Sequence, residues 1–83
     1  MKTSILVVDD ETAFLDSVVR MLRIEGYEDI TTKSNPTEVP DLFEQKQFDI
    51  AFLDITMPEL DGLDLLKIIK APMPQQIYQI QKQ

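Results

Sequence analysis

The residues in this chain most able to do chemistry are aspartates at the ends of two apolar runs. Ile5-Leu6-Val7-Val8 runs into Asp9-Asp10, and Ile50-Ala51-Phe52-Leu53 runs into Asp54. Runs of this length, rich in β-branched and aromatic residues, read as fully buried strands of a parallel sheet. In an open α/β sheet, ligands bind just beyond the carboxyl ends of the strands. If the two strands are parallel neighbours, Asp9, Asp10 and Asp54 meet at one rim. Two like charges 4 Å apart repel by about 4 kcal/mol at an effective dielectric of 20, so the cluster needs compensation. A bound proton could supply it, or a divalent cation. Mg²⁺ takes one or two carboxylates together with waters and phosphate oxygens, which leaves one carboxylate available to attack phosphorus and form an acyl phosphate. The plainer reading is that Asp9 and Asp10 cap a helix while Asp54 merely ends a strand. The coincidence of two strand ends, three aspartates and a following Pro58 and Gly62 weighs against it.

The elements that must position this rim follow from the pattern. Residues 4–9 read as the first strand. Phe14, Leu15, Val18, Met21 and Leu22 recur at helical spacing within 12–25, with Asp10, Glu11 and Thr12 expected to cap that helix and Gly26 to stop it. Residues 27–33 form a short polar strand, expected at a sheet edge. A turn over 34–37 leads to a second helix ending near Gln47. Its start is placed late because Pro40 is tolerated only in a first turn, with Thr37 the candidate N-cap and Leu42 and Phe43 facing the sheet. Residues 48–54 are the clearest strand, 57–62 a loop, and Leu63, Leu66 and Ile69 belong to a third helix ended by Ala71-Pro72. The order β-α-β-α-β-α makes the fold α/β with right-handed crossovers.

Residues 1–71 are thus expected to form one small domain. Residues 72–83, with five glutamines and two prolines, are expected to be an irregular Gln/Pro-rich tail. A chain of 83 residues buries only roughly 60–65% of its unfolded surface. The absence of cysteine excludes disulfides and zinc–thiolate sites and suits the cytoplasm. No apolar stretch approaches a membrane span. The net charge of −7, from 8 basic and 15 acidic side chains, argues against direct nucleic-acid binding, which needs clustered Lys and Arg.

At this point a family resemblance becomes specific. Leu6-Val7-Val8-Asp9-Asp10-Glu11 resembles the opening signature of response-regulator receiver domains. Phe48-Asp49-Ile50-Ala51-Phe52-Leu53-Asp54-Ile55-Thr56-Met57-Pro58-Glu59-Leu60-Asp61-Gly62 resembles their phosphorylation-site segment. The likeness spans about residues 4–70 and includes the Gly26-Tyr27 break. It implies a flavodoxin-like (CheY-like) doubly wound parallel sheet, here incomplete after the third helix, with about three strands in the order 2-1-3 and three helices. It also implies roles. Asp54 matches the phosphoacceptor, loaded from a sensor histidine kinase or phosphotransfer protein of a two-component system. Asp9 and Asp10 match Mg²⁺ ligands, with Asp54 and the backbone carbonyl of Thr56 completing the metal contacts. Pro58 and Gly62 match loop-shaping positions.

The chain also departs from the family. A complete receiver carries five strands, a Ser or Thr after the fourth and a Lys after the fifth. No Ser or Thr follows Thr56 here, and the only later lysines are Lys67, Lys70 and Lys82. Lys67 falls some six residues into the third helix, about 9 Å below the rim at 1.5 Å per residue. Phosphoryl transfer is therefore expected to be impaired. Strand three is expected to be an exposed apolar edge that invites self-association or domain swapping. Three functions follow: a Mg²⁺-dependent phosphoacceptor module, which is not an enzyme beyond slow self-catalysed phosphorylation and dephosphorylation; a phosphotransfer-impaired binding or oligomerisation module pairing through the strand-three edge; and a hydrolase with an aspartyl nucleophile. The last is disfavoured because the position two residues beyond Asp54, where such enzymes place a general acid, is Thr56.

Overall fold

A computed structural model describes residues 3–54 and 74–80 of the chain. The strands β1 (Ser4–Val8), β2 (Asp29–Lys33), β3 (Ile50–Asp54) and β4 (Gln76–Ile80) form one sheet in the order β2-β1-β3-β4, every pairing parallel. Among the described residues the helices are α1 (Thr12–Ile24) and α2 (Val39–Gln45), the latter preceded by a 3₁₀ turn over Pro36–Glu38. The α/β doubly wound sheet and its 2-1-3 strand order are as the sequence implies.

Alternation along β1 sorts the core into two layers, because successive side chains of a strand point to opposite faces. Leu6 and Val8 pack with Val39 and Phe43 of α2 and with Phe48, Ala51 and Leu53. Ile5 and Val7 pack with Leu15 of α1, flanked by Val18, Leu22, Ile50 and Phe52. Every residue of β1 is buried, as a central parallel strand covered on both faces must be.

The helix ends show where local expectation and structure part. Gly26 adopts φ +100° beyond α1, its N–H bonding Arg23 O at 3.0 Å while the Tyr27 N–H reaches back to Leu22 O at 3.0 Å. This paired closure satisfies the last carbonyls of the helix and is the reason for glycine there. At the other end, Glu11 is the N-cap, with no side-chain cap bond. Pro40 does lie in the first turn of α2. The N-cap of α2 is Glu38 rather than Thr37. Asn35 Oδ1 instead accepts from both the N–H (3.0 Å) and the hydroxyl (2.7 Å) of Thr37.

The segment expected to be irregular contains a fourth strand. Gln76–Ile80 pairs with Ile50–Asp54 along the whole length of β3. Ile77 packs against the α2-side core, and the Tyr78 ring stacks on Phe52 at 5.3 Å. Its Gln-Ile-Tyr-Gln-Ile pattern is a weak local signal, but β3 offers a row of backbone groups and an apolar surface that together outweigh it. Two expectations are corrected as a result. Strand three lies inside the sheet rather than at its edge, and association through a strand-three edge has no exposed edge to use. The expected loop over 57–62 and the third helix lie outside the described residues.

A polar clasp aligns the opposite, amino-terminal ends of the strands. The Ser4 N–H donates to Asp49 Oδ2 at 2.8 Å and the Asp49 N–H returns to Ser4 O at 2.9 Å. The Gln76 N–H takes Asp49 O at 3.1 Å. The Ser4 hydroxyl donates to Asp29 Oδ2 at 2.8 Å, and Lys46 Nζ meets Asp29 Oδ1 at 2.6 Å. One residue, Asp49, thereby ties β1 to β4 across the start of β3.

Two outcomes test this packing in chemical denaturation. Phe43→Ala should cost about 3–5 kcal/mol through a buried cavity, enough to unfold so small a domain. No atom lies within 4 Å of where a Cβ would stand on Gly26. Gly26→Ala should therefore cost about 1 kcal/mol from backbone angle alone, and an unchanged midpoint would show that this helix end carries no strain.

Candidate functional site

The parallel register between β1 and β3 builds the site. Val8 lies beside Leu53, so the next residue on each strand, Asp9 and Asp54, emerges at the same rim. Both are buried, at 0% and 1% exposure, whereas Asp10 is exposed. One carboxylate oxygen from each of Asp9, Asp10 and Asp54 lies within 4.8 Å of the other two. The juxtaposition expected from the sequence is therefore present for all three aspartates.

Asp9 is held in place by backbone on both sides. Its N–H donates to Lys33 O at 3.0 Å, carrying the β1–β2 ladder one residue past Val8. Its Oδ1 accepts the Glu11 N–H at 2.9 Å. Asp9 thus makes a side-chain contact just ahead of α1, while Glu11 occupies the N-cap position without a side-chain cap bond, which corrects the capping bond expected of it. The sequence signal for this contact was available: an aspartate commonly bonds the backbone two residues on. The Glu11 N–H is a contributor to the rim that residue type alone did not reveal.

Oxygen donors alone, two of them buried, suit a hard divalent cation. Opposite ligands of octahedral Mg²⁺ are about 4.2 Å apart at Mg–O distances of 2.0–2.1 Å, close to the observed span of the three oxygens. The repulsion between Asp9 and Asp54 is on the order of 3 kcal/mol at an effective dielectric of 20, which a dication at the rim would reverse. The residues present therefore fit Mg²⁺. Thr56, Pro58, Gly62, Lys67, Lys70 and Lys82 lie outside the described residues. Among the described residues, no helix is long and apolar enough to cross a membrane.

Comparison with known proteins agrees with this geometry. The chain is 35% identical over 69 residues to the sensory transduction protein RegX3 of Mycolicibacterium smegmatis, covering 83% of this chain and 30% of that protein. It is 39% identical over 70 residues to the alginate biosynthesis transcriptional regulatory protein AlgB of Pseudomonas aeruginosa, covering 84% of this chain and 15% of that one. The chain thus spans less than a third of the length of these curated relatives. Among solved structures, it is similar to the response regulator protein TrrA of Thermotoga maritima in complex with Mg²⁺-BeF. The TM-score is 0.71 at 28% identity, covering 98% of this chain and 88% of that one. The response regulator receiver domain matches residues 5–80, from the first core residue of β1 to the last of β4, and with the acidic rim assembled between those strands the chain belongs to the response regulator receiver domain family.

Proposed function

We propose that this chain is a phosphoacceptor module of two-component signalling, phosphorylated on Asp54 in a Mg²⁺-dependent step. The observation that carries the reading is the convergence of Asp9, Asp10 and Asp54 to within 4.8 Å at the carboxyl ends of two parallel strands. Membership of the receiver family supports it, as does the relative that binds Mg²⁺-BeF.

In this reading Asp9 and Asp10 hold the cation, with Asp54 and the Thr56 carbonyl completing its protein contacts. A Mg²⁺ ion held by these residues would neutralise charge between the carboxylates and the incoming phosphoryl oxygens. Asp54 is the nucleophile. One of its carboxylate oxygens bonds to phosphorus as the P–N bond of a phosphohistidine breaks, and the bonding pair leaves on the imidazole nitrogen, which is then protonated. Burial of Asp54 at 1% exposure shields the acyl phosphate from water, and the bond from the Glu11 N–H keeps Asp9 turned toward the rim. A sensor histidine kinase or phosphotransfer protein is the donor, and the exchange takes place in the cytoplasm. The chain is not an enzyme toward separate substrates; its own phosphorylation and dephosphorylation are slow.

Incubation with Mg²⁺ and acetyl phosphate should add one phosphoryl group, read as a mass increase that Asp54→Asn abolishes. Labelling that survives Asp54→Asn would sink the assignment. Asp9→Asn should weaken Mg²⁺ binding by removing one of the charged oxygen ligands, read from amide NMR shifts of residues 9, 10 and 54–56 during titration. Chelation with EDTA should stop labelling while leaving far-UV circular dichroism unchanged.

A further inference from the structure

β2 ends the sheet on the side away from β4, with β1 its one neighbouring strand among the described residues. The ladder shows which of its backbone groups face outward. The Asp9 N–H donates to Lys33 O, so Lys33 directs its backbone groups toward β1. Backbone groups alternate in direction along a strand. Asp29 and Thr31 therefore face β1 as well, while Ile30 and Thr32 direct their N–H and C=O away from the sheet.

The charges of this edge are placed symmetrically about Thr31, with Asp29 before it and Lys33 after it at equal spacing. Both lie on the α2 face. The Asp29 carboxylate accepts the Ser4 hydroxyl at 2.8 Å and Lys46 Nζ at 2.6 Å. Lys33 Nζ stands 4.0 Å from Glu38 Oε2. Beside the edge, Lys33, Glu38, Asp41, Leu42 and Gln45 line a hollow of about 190 Å³. The amino end of the edge thus carries a lysine bound to an aspartate, and the carboxyl end a lysine set among acids.

We propose that the outer edge of β2 pairs with β2 of a second copy of this chain, antiparallel about a two-fold axis at Thr31. Ile30 then lies opposite Thr32 of the second copy, and the two exchange both backbone hydrogen bonds. Thr31 meets Thr31 as a non-hydrogen-bonded pair, the arrangement in which side chains approach closest. The same axis sets Asp29 opposite Lys33 at each end of the interface. A row of alternating charge results, Lys46 and Asp29 of one copy continuing into Lys33 and Glu38 of the other. An ionised carboxylate offers about four acceptor sites, so Asp29 has room for this donor beside Ser4 and Lys46. Moving the axis to Ile30 sets Lys33 opposite Tyr27, and moving it to Thr32 sets Lys33 opposite Thr31, so neither register matches charge with charge. Charge on an edge ordinarily deters pairing; on this edge it favours the one register in which opposite signs meet.

So short an edge makes a weak, reversible contact, smaller than the roughly 1,200 Å² of stable interfaces. Sedimentation of the chain at about 0.5 mM should show a dimer that dissociates on dilution. Lys33→Glu sets like charges opposite each other at both ends and should weaken association roughly tenfold. Thr32→Pro deletes an outward N–H on an edge strand, where proline is tolerated, and should yield a monomer. Gln76→Lys on β4 should leave the dimer intact. The chain has no cysteine, so an introduced thiol reports the register. Oxidised Thr31→Cys should give a covalent dimer, because the paired Cα atoms stand about 4.5 Å apart. Thr32→Cys, displaced from its own copy along the strands, should not. Circular dichroism melts identify any variant that fails to fold; should Thr32→Pro be one, Lys33→Glu and the two thiol variants decide. A wild-type monomer at about 0.5 mM, a dimer indifferent to Lys33→Glu, loss of association in Gln76→Lys, or cross-linking of Thr32→Cys as readily as of Thr31→Cys would each overturn the proposal.

Discussion

Everything functional in this domain depends on the parallel pairing of β1 with β3. That pairing sets Val8 beside Leu53, and it can form only because β1 is apolar on both faces and can be covered on both. Once the register is set, the next residue of each strand must emerge at the same place. Two buried carboxylates then stand together at the rim, joined by an exposed third. The core favours this register because a shift by one residue would turn Leu6 and Val8 away from Phe43 and Val39. The hydrophobic energy of the sheet thereby holds together charges that would otherwise separate.

The two ends of the sheet divide the labour. At the carboxyl ends, carboxylates are brought together at an electrostatic cost that a divalent cation would offset. At the amino ends, Asp49 and Asp29 are satisfied by N–H groups, a hydroxyl and an ammonium. Aspartates thus play opposite parts at the two ends. Asp49 and Asp29 spend their lone pairs on fixing strands, whereas the pairing of the strands brings Asp9, Asp10 and Asp54 to a common point. Such separation of scaffold from chemistry is typical of open α/β sheets, whose sites lie on the loops beyond the strands.

β4 alters how the small core is understood. By covering β3, it converts the most apolar strand after β1 into an interior strand and adds Ile77 to the α2-side layer and Tyr78 to the α1 side. Family membership and fold rest on residues 5–80 as a unit, so this strand is part of the domain rather than an appendage.

The sequence by itself determined the central strands, the first helix and its glycine stop, the α/β class and the three aspartates of the rim. Each of these depends on strong local patterns: long apolar runs, helical periodicity, or the positive φ that only Gly26 tolerates readily. It did not determine β4, because Gln76-Ile77-Tyr78-Gln79-Ile80 becomes a strand only when β3 supplies hydrogen-bond partners and an apolar surface. Nor did it reveal that the Asp9 carboxylate accepts the Glu11 N–H ahead of α1, or that Asn35 rather than Thr37 organises the turn before α2. In these cases several residues of suitable type lay within two positions of one another, and backbone geometry chose among them. The separation of the carboxylates was likewise a tertiary decision. Type and order are written along the chain, but distance across a sheet is set by which strands pair and in what register.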